Sequence, residues 1–452
     1  MTDSALQILL INMHKFYIKI YGCQMNDYDG QRIIDLLKQN DFEQTDSPDL
    51  ADILIYYTCN VREKAVQKLT SAIGMDRSKN TKIVAIGGCI AQAEGRNLFQ
   101  KIPSINILFG PQTYHKLPEY INKILSGKQK KLVDQAFYKL EKFDYCKNRK
   151  KINVSEYIAI QEGCDNFCTY CVVPYTRGRE YSRPAIDIIN EAKMLIAGGA
   201  QEIVLGGQNV NSYHGEAPYI TIGQPKATWR IERLIQEIST LPGLRRLRYS
   251  TSHPKDFTVD LMKIHTEIPV LVPFTHIPLQ SGSDRILKLM NRNHTAQEYL
   301  DKLAMFRDIC PEIQFSSDFI VGFPSETEED FEDTLRTTEK AKFTLSFSFK
   351  YSVRKNTPAA KMPEQVPESV KKERLGRLHK VLLKDQIYYN QQQVGKTQEI
   401  LFYKLGKKAN QYIGKNVYMQ SVVVTSNENL IGKFKDIKIK SAEENCLFGE
   451  EI

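Results

Sequence analysis

The chain has 452 residues, 42% of them hydrophobic, with 62 basic and 53 acidic side chains for a net charge of +9. That length exceeds what one hydrophobic core usually serves, so two or three domains are expected. No apolar run reaches the roughly 20 residues of a membrane-spanning helix, and "ALQILLINM" near the start lacks the basic flank and cleavage site of a secretion signal; no membrane association and a cytoplasmic location are expected.

Residues 16 to 125 alternate short β-branched or aromatic runs with helical patterns. "FYIKIYG", "ILIYYT", "KIVAIGG" and "INILFG" predict strands, and segments such as "QRIIDLLKQN" and "KLPEYINKIL" predict helices between them. This is the pattern of a small parallel α/β domain. Its first three strands end at Cys23, Cys59 and Cys89. In a parallel sheet the carboxyl ends share one edge, where ligands bind, so these distant cysteines should converge. Between Lys123 and Lys151 there are ten Lys or Arg against three acids, a run that reads equally as a solvated linker or a phosphate-contacting surface.

The alternation restarts from about 154 to 355 with six further candidate strands, "EYIAIQ", "EIVLGG", "LRRLRYS", "FTHIPLQ", "FSSDFIVGF" and "LSFSFKYS", separated by amphipathic helices. Six units are too few to close an eight-fold barrel, so an open or partial barrel is expected, with its functional residues in the loops after the strands. Residues 366 to 393 read as a long basic helix. The tail, with "TQEILFYK", "NVYMQSVVVTS" and "KFKDIKIK", reads as a small antiparallel β module.

Nine cysteines without a secretion signal favour metal or catalytic use over disulfides. In "EGCDNFCTYCVVPYTRGRE", Cys164, Cys168 and Cys171 are spaced three and then two residues apart with no fourth partner nearby. Structural zinc wants four ligands. Three thiolates instead suit a four-iron, four-sulfur cluster that leaves one iron open to a small molecule. Singly, Cys23, Cys59 or Cys89 would be a small buried hydrophobe; jointly, at three parallel strand ends, they suggest a second such cluster.

Cys164-x-x-x-Cys168-x-x-Cys171, with Tyr170 before the last cysteine, resembles the signature of the radical S-adenosylmethionine enzymes. "YGCQMNDYDG", "YTCNVREKA" and "GGCIAQ" resemble the three-cysteine domain of the methylthiotransferases within that family. The resemblance implies an N-terminal methylthiotransferase domain at 14–130 with an auxiliary cluster, a radical S-adenosylmethionine core at 150–365 built as a partial six-unit barrel, and an RNA-binding β-barrel at 385–452. It implies two 4Fe–4S clusters, held by Cys164, Cys168 and Cys171 and by Cys23, Cys59 and Cys89. S-adenosylmethionine would serve as methyl donor and radical source, with Tyr170, Gly206, Gly207, Gln208, Ser250, Gln280 and Val321 as candidates for its pocket. The activity implied is methylthiolation of carbon 2 of N(6)-dimethylallyladenosine next to the anticodon. The partners are a tRNA anticodon stem-loop, an electron donor and a sulfur source, and Lys404, Lys407, Lys408 and Lys415 could neutralise phosphates. The same chemistry on threonylcarbamoyl-adenosine or on a ribosomal-protein aspartate is the near alternative, and a zinc-holding RNA-binding protein the distant one.

Gly30, Tyr57 and Asn356 depart from the residues usual in the family, which are serine, asparagine and glycine at those places, and residues 1 to 13 extend beyond its usual start. Cys146, Cys310 and Cys446 match no motif, and Arg177, Arg179 and Arg183 have no assigned role.

Overall fold

The computed structural model describes residues 13–59, 65–78, 81–137, 141–143, 152–218 and 227–452. Residues 1–12 and, within the lysine-rich run Lys123–Lys151, residues 138–140 and 144–151 with Cys146 lie outside the described residues. The chain divides into two compact units, Met1–Lys151 with Val172–Arg179, and Ile152–Cys171 with Glu180–Ile452.

In the first unit, β1 (Lys15–Tyr21), β2 (Glu43–Gln44), β3 (Ile53–Thr58), β4 (Ile83–Gly88), β5 (Ile107–Phe109) and β6 (Leu132–Asp134) form a parallel sheet in the order β2-β1-β3-β4-β5-β6. Every residue of β3, β4 and β5 is buried, as expected of central strands covered by helices on both faces. Ile33 and Leu37 of the helix Gln24–Gln39 pack with Tyr114, Leu117 and Ile121 on one face, while Leu69, Ile73, Ile90 and Leu98 pack on the other. Each fully buried side chain of this size contributes about 1.5–3 kcal/mol.

The register determines what happens at the carboxyl edge. Tyr21 pairs with Thr58, and Thr58 with Gly88, so the last residues of β1, β3 and β4 stand side by side. Cys23 lies two residues past the end of β1, Cys59 one past β3 and Cys89 one past β4. The strand ends are closely apposed: Gly88 adopts φ +87 and a Cβ there would stand 2.6 Å from the Thr58 carbonyl, and a Cβ on Gly22, at φ +134, would stand 2.5 Å from that of Cys59. Glycine is therefore required at both turns.

The second unit opens with β7 (Ser155–Ala159), β8 (Gln161–Glu162), β9 (Tyr181–Ser182), β10 (Glu202–Gly206), β11 (His214–Glu216) and β12 (Thr228–Arg230). It continues with β13 (Arg246–Tyr249), β14 (Phe274–His276), β15 (Gln314–Val321) and β16 (Leu345–Lys350). β7, β10 and β13 form one parallel sheet and β14, β15 and β16 another. A parallel bridge between Leu247 and Leu271 continues the first into the segment before β14. The result is a six-strand partial barrel of parallel strands, each followed by a helix on the outside, among them Ala185–Ala197, Ile231–Ser239, Val259–Glu267, Ala296–Ile309 and Glu328–Ala341. Its main core runs from Ile158 and Leu205 through Leu247 and Phe306 to Phe319.

The helix Glu368–Gln391 then leads to β17 (Thr397–Leu405), β18 (Gln411–Lys415), β19 (Ser421–Thr425), β20 (Phe434–Ala442) and β21 (Leu447–Glu451), which close into a barrel around Ile400, Phe402, Val424 and Ile437. Four of its pairings are antiparallel, but β19 and β21 are parallel, a departure from the purely antiparallel module expected. This barrel clusters with the second unit. Arg246 donates to the carbonyls of Glu399 and Lys415, each at 3.2 Å, and Arg245 pairs with Glu399 at 2.5 Å.

Candidate cluster sites

The N-terminal site is assembled by the β1, β3 and β4 ends. Cys23 caps the helix Gln24–Gln39, its carbonyl accepting from the amides of Asn26 at 2.8 Å and Asp27 at 3.1 Å. The Cys59 amide donates to the Tyr21 carbonyl at 3.2 Å, tying its turn to β1. A hydrogen bond with Cys59 lowers the Cys23 thiol to about 6, with the Arg177 charge adding to it against desolvation. Burial pushes the Cys89 thiol up, while the Arg177 charge and hydrogen bonds from Thr176 and Arg177 pull the other way. The three thiols and one guanidinium therefore form a single electrostatic cluster.

Arg177, which the sequence left without a role, is the addition the structure makes. The segment Val172–Arg179 belongs to the first unit, with its short helix Val173–Thr176 against the helix Cys89–Glu94. Arg177 is 3% exposed, and its Nη2 donates to Asp29 Oδ2 at 3.0 Å and Asn26 Oδ1 at 3.1 Å. The Tyr57 hydroxyl also donates to Asp29 Oδ2, at 2.9 Å, and Lys142 Nζ stands 3.5 Å from Oδ1. Lys142 is fully buried and donates to the Pro111 carbonyl at 3.2 Å, so this member of the lysine-rich run is neither solvated nor on a phosphate-facing surface.

The second triad follows β8. Two glutamines hold the start of its loop: the Gly163 amide donates to Gln208 Oε1 at 2.6 Å, and Gln161 Nε2 donates to the Gly163 carbonyl at 2.6 Å. Gln161 Oε1 in turn accepts from the amides of Gln208 at 2.8 Å and Asn209 at 3.1 Å. The other end is clamped by Thr169, whose hydroxyl donates to the Leu289 carbonyl at 2.8 Å and whose own carbonyl accepts from the Ala359 amide at 2.9 Å. Between these anchors Asn166 Nδ2 donates to Cys164 Sγ at 3.5 Å, and the buried Arg292 donates to Cys168 Sγ at 3.8 Å. The Cys171 amide donates to the Cys168 carbonyl at 2.9 Å, and burial pushes the Cys164 thiol up. Tyr170, its hydroxyl held well above the usual range by burial and by Cys168, sits beside Arg292.

The remaining sequence candidates divide. Gly206 ends β10 and Gly207 follows it, but the room their missing side chains leave is filled: a Cβ on Gly206 would meet the Tyr157 ring at 1.9 Å, and one on Gly207 would meet Gln161 Oε1 at 2.6 Å. Gln208 braces Gly163, as above. Ser250 follows β13 and pairs through its amide with the Leu205 carbonyl at 2.9 Å. Gln280, at φ +74, follows β14 and bridges to Phe319. Val321, the last residue of β15, is fully buried in the main core. Ser250, Gln280 and Val321 thus lie after or at the ends of β13, β14 and β15. Arg183 pairs with Glu191 at 2.8 Å, a structural brace, and Arg179 is exposed.

The donor chemistry fits iron–sulfur clusters at both places. Among the described residues no three His, Cys, Asp or Glu side chains gather around one point as a single ion requires. A four-iron cluster instead binds each thiolate through a different iron, so its donors stand apart, and hydrogen bonds to sulfur such as those from Asn166 and Arg292 are its usual surroundings.

Comparison with known proteins agrees with this geometry. Residues 158–338 match the family described as the radical SAM superfamily, 15–110 the uncharacterized protein family UPF0004, and 391–452 the TRAM domain. The solved structure of the radical S-adenosylmethionine methyltransferase TsrM from Kitasatospora setae, described with cobalamin and a [4Fe-4S] cluster bound, shares the fold with a TM-score of 0.57 at 14% identity, over 77% of each chain. The family match marks residues 158–338 as a radical S-adenosylmethionine domain, and the solved structure shows a shared fold. The tRNA-2-methylthio-N(6)-dimethylallyladenosine synthase of Wolbachia pipientis wMel is 47% identical over 443 residues, covering 97% of this chain and 99% of its own. The enzyme of that name from Rickettsia felis is 45% identical over 449 residues, covering 97% and 99%. The chain belongs to the family of tRNA-2-methylthio-N(6)-dimethylallyladenosine synthases.

Proposed function

We propose that this protein installs a methylthio group on carbon 2 of N(6)-dimethylallyladenosine beside the tRNA anticodon, working in the cytoplasm with an electron donor and a sulfur source as further partners. Cys164, Cys168 and Cys171 hold one 4Fe–4S cluster and Cys23, Cys59 and Cys89 the other. When bound, these clusters and S-adenosylmethionine supply one-electron reduction, a hydrogen-abstracting radical, a methyl group and sulfur, which an aromatic carbon–hydrogen bond inert to acids and bases requires.

The protein's own contribution is placement. Gln161 and Gln208 fix the backbone just before Cys164, and Thr169 fixes it between Cys168 and Cys171. Asn166 and Arg292 offer N–H groups to the sulfurs, stabilising thiolate over thiol. Ser250 and Gln280, at strand ends of the same barrel edge, are the side chains available to orient a small molecule there, while Gly206, Gly207, Tyr170 and Val321 shape the backbone and walls around it. On the closed barrel Lys404, Lys407 and Lys408 are exposed and suited to phosphates, whereas Lys415 is half-buried beside Arg248, burial and that charge lowering its pKa.

The observation that carries this reading is that each cysteine triad stands at the carboxyl edge of its own parallel sheet in a chain with full-length relatives at 47% and 45% identity. Mass spectrometry of tRNA nucleosides from a strain lacking the gene tests it. The methylthio group should vanish from the prenylated adenosine and return with the wild-type gene. Loss from threonylcarbamoyl-adenosine, with the prenylated nucleoside unchanged, would move the substrate to that alternative.

A further inference from the structure

β15 separates two environments by alternation. Phe315, Phe319 and Val321 belong to the main core beneath the outer helices, so Ser316, Asp318 and Ile320 project from the opposite face, into the barrel. The parallel register carries that face across both neighbours: His276 of β14 pairs with Ser316, and Ser316, Asp318 and Ile320 pair with Leu345, Phe347 and Phe349 of β16. The intervening positions of β16 turn the other way, Lys350 pairing with Glu368 of the helix Glu368–Gln391. Phe347 and Phe349 therefore face the barrel interior, yet they are 48% and 54% exposed.

Two large rings left open at alternate positions of one strand make a contiguous apolar surface rather than scattered exposure. A polar arm stands beside them. His276 Nδ1 lies 2.8 Å from Ser316 Oγ and its Nε2 3.4 Å from Asp318 Oδ2, while the His276 and Phe347 rings meet edge to face with centroids 6.4 Å apart. The face reaches the second triad, because Ile320, the register partner of Phe349, packs with Phe323 and Tyr351 in a small cluster that also takes in Tyr170, the residue before Cys171. Among the described strands β16 pairs with β15 alone, so this surface lies at the free edge of its sheet.

Such rings suit an unpaired base, whose flat face stacks on aromatic side chains, and a dimethylallyl substituent extends the apolar area they can cover. Within β14, β15 and β16 no lysine or arginine lies on this face, and its one carboxylate is Asp318. A substituent that carries its own carboxylate, such as threonylcarbamoyl or an aspartate side chain, meets a like charge here and no fixed cation. We infer that Phe347 and Phe349 are specificity-determining residues that stack the prenylated adenine and cover its dimethylallyl group, with Asp318 excluding anionic alternatives. This rests on the proposed substrate and names the side chains that select it.

The test is binding of short anticodon stem-loop RNAs to the full chain reconstituted with iron and sulfide, followed by fluorescence anisotropy, with N(6)-dimethylallyladenosine, plain adenosine or threonylcarbamoyl-adenosine at the same position. The wild type should bind the prenylated RNA most tightly. Phe347→Ala and Phe349→Ala should each weaken that binding by about 5- to 150-fold and bring its ratio to plain adenosine toward one, with the iron content unchanged. Asp318→Asn should tighten binding of the threonylcarbamoyl RNA, and an unchanged affinity there overturns the part given to Asp318. A preference for the prenylated RNA that survives in both phenylalanine variants overturns the inference and leaves the proposed substrate standing. A wild type that favours the threonylcarbamoyl RNA, or does not distinguish the three, refutes the proposed substrate and the inference with it. If an alanine variant fails to fold or to load iron, Phe347→Leu and Phe349→Leu, which keep apolar volume and lose the ring, decide instead: weakened binding of the prenylated RNA supports the inference and unchanged binding overturns it.

Discussion

Each cysteine triad is faced by one buried arginine, Arg177 at 3% exposure and Arg292 at 7%, and neither was legible as a site residue in the sequence. The cysteines were legible because their signal is local: a spacing of three and two residues in one case, and the ends of successive strands in the other. Arg177 was not, since its partners Asn26 and Asp29 lie 151 and 148 residues away and nothing in "YTRGRE" points to them. The two triads should separate functionally. Cys168→Ala should abolish formation of 5′-deoxyadenosine, whereas Cys59→Ala should leave it measurable and stop sulfur insertion; equal loss in both folded variants would refute the division of roles. The departures from family pattern also find reasons at this scale. Tyr57 places a hydroxyl on Asp29, and Asn356 holds φ +69, a left-handed conformation that Asn tolerates best after glycine. Asn356→Val should cost about 1–2 kcal/mol in denaturant unfolding, and Asn356→Gly close to nothing.

The long elements follow from periodicity, and the short ones do not. β2, at Glu43–Gln44, and β6, at Leu132–Asp134, add edges to the first sheet that no hydrophobic alternation announces. β6 lies inside the lysine-rich run and is specified by its parallel pairing with β5, through hydrogen bonds such as the Gly110 amide to the Asp134 carbonyl at 2.8 Å. Helix starts are set more locally. Thr295 and Glu298 form a reciprocal cap on the helix Ala296–Ile309, and Thr295→Ala should lower stability by about 1 kcal/mol. The helix Val259–Glu267 carries the clearest acid-sensitive group. His265 is buried with Nε2 2.8 Å from the Tyr249 hydroxyl and Nδ1 3.0 Å from the Val272 carbonyl, an arrangement that suits the neutral ring, and burial lowers its pKa to about 4. Because the folded value lies below the ordinary 6.5, the unfolded chain takes up the proton first. The contribution of neutral His265 is therefore complete above pH 6.5 and lost as pH falls toward 4, at up to about 1.4 kcal/mol per pH unit. His265→Phe should flatten the fall of the thermal midpoint over that window; an unchanged slope would exclude this histidine as its source.

At the scale of the whole molecule, the described strands form a parallel α/β sheet, a six-strand partial barrel and a closed five-strand barrel. No helix among the described residues is long and apolar enough to cross a membrane. Replacing Lys404, Lys407 and Lys408 by Ala together should weaken tRNA binding and reduce the steepness of its salt dependence by about 0.7–0.9 for each phosphate no longer neutralised, as read from binding isotherms at several salt concentrations. The closed barrel was legible in part: three of its strands carry β-branched runs, whereas β18 and β21, which contain Gly414 and Gly449 at close backbone approaches, are not among the strands expected from the sequence.

The most direct measurement of the central claim is the iron and acid-labile sulfide content of the chain purified and reconstituted without air. Two three-thiolate sites require about eight irons and about eight sulfides per chain, falling to about four of each when Cys23, Cys59 and Cys89 are replaced together, or when Cys164, Cys168 and Cys171 are. Stoichiometric zinc in place of iron, or an iron content that stays the same when either triad is removed, would contradict the account.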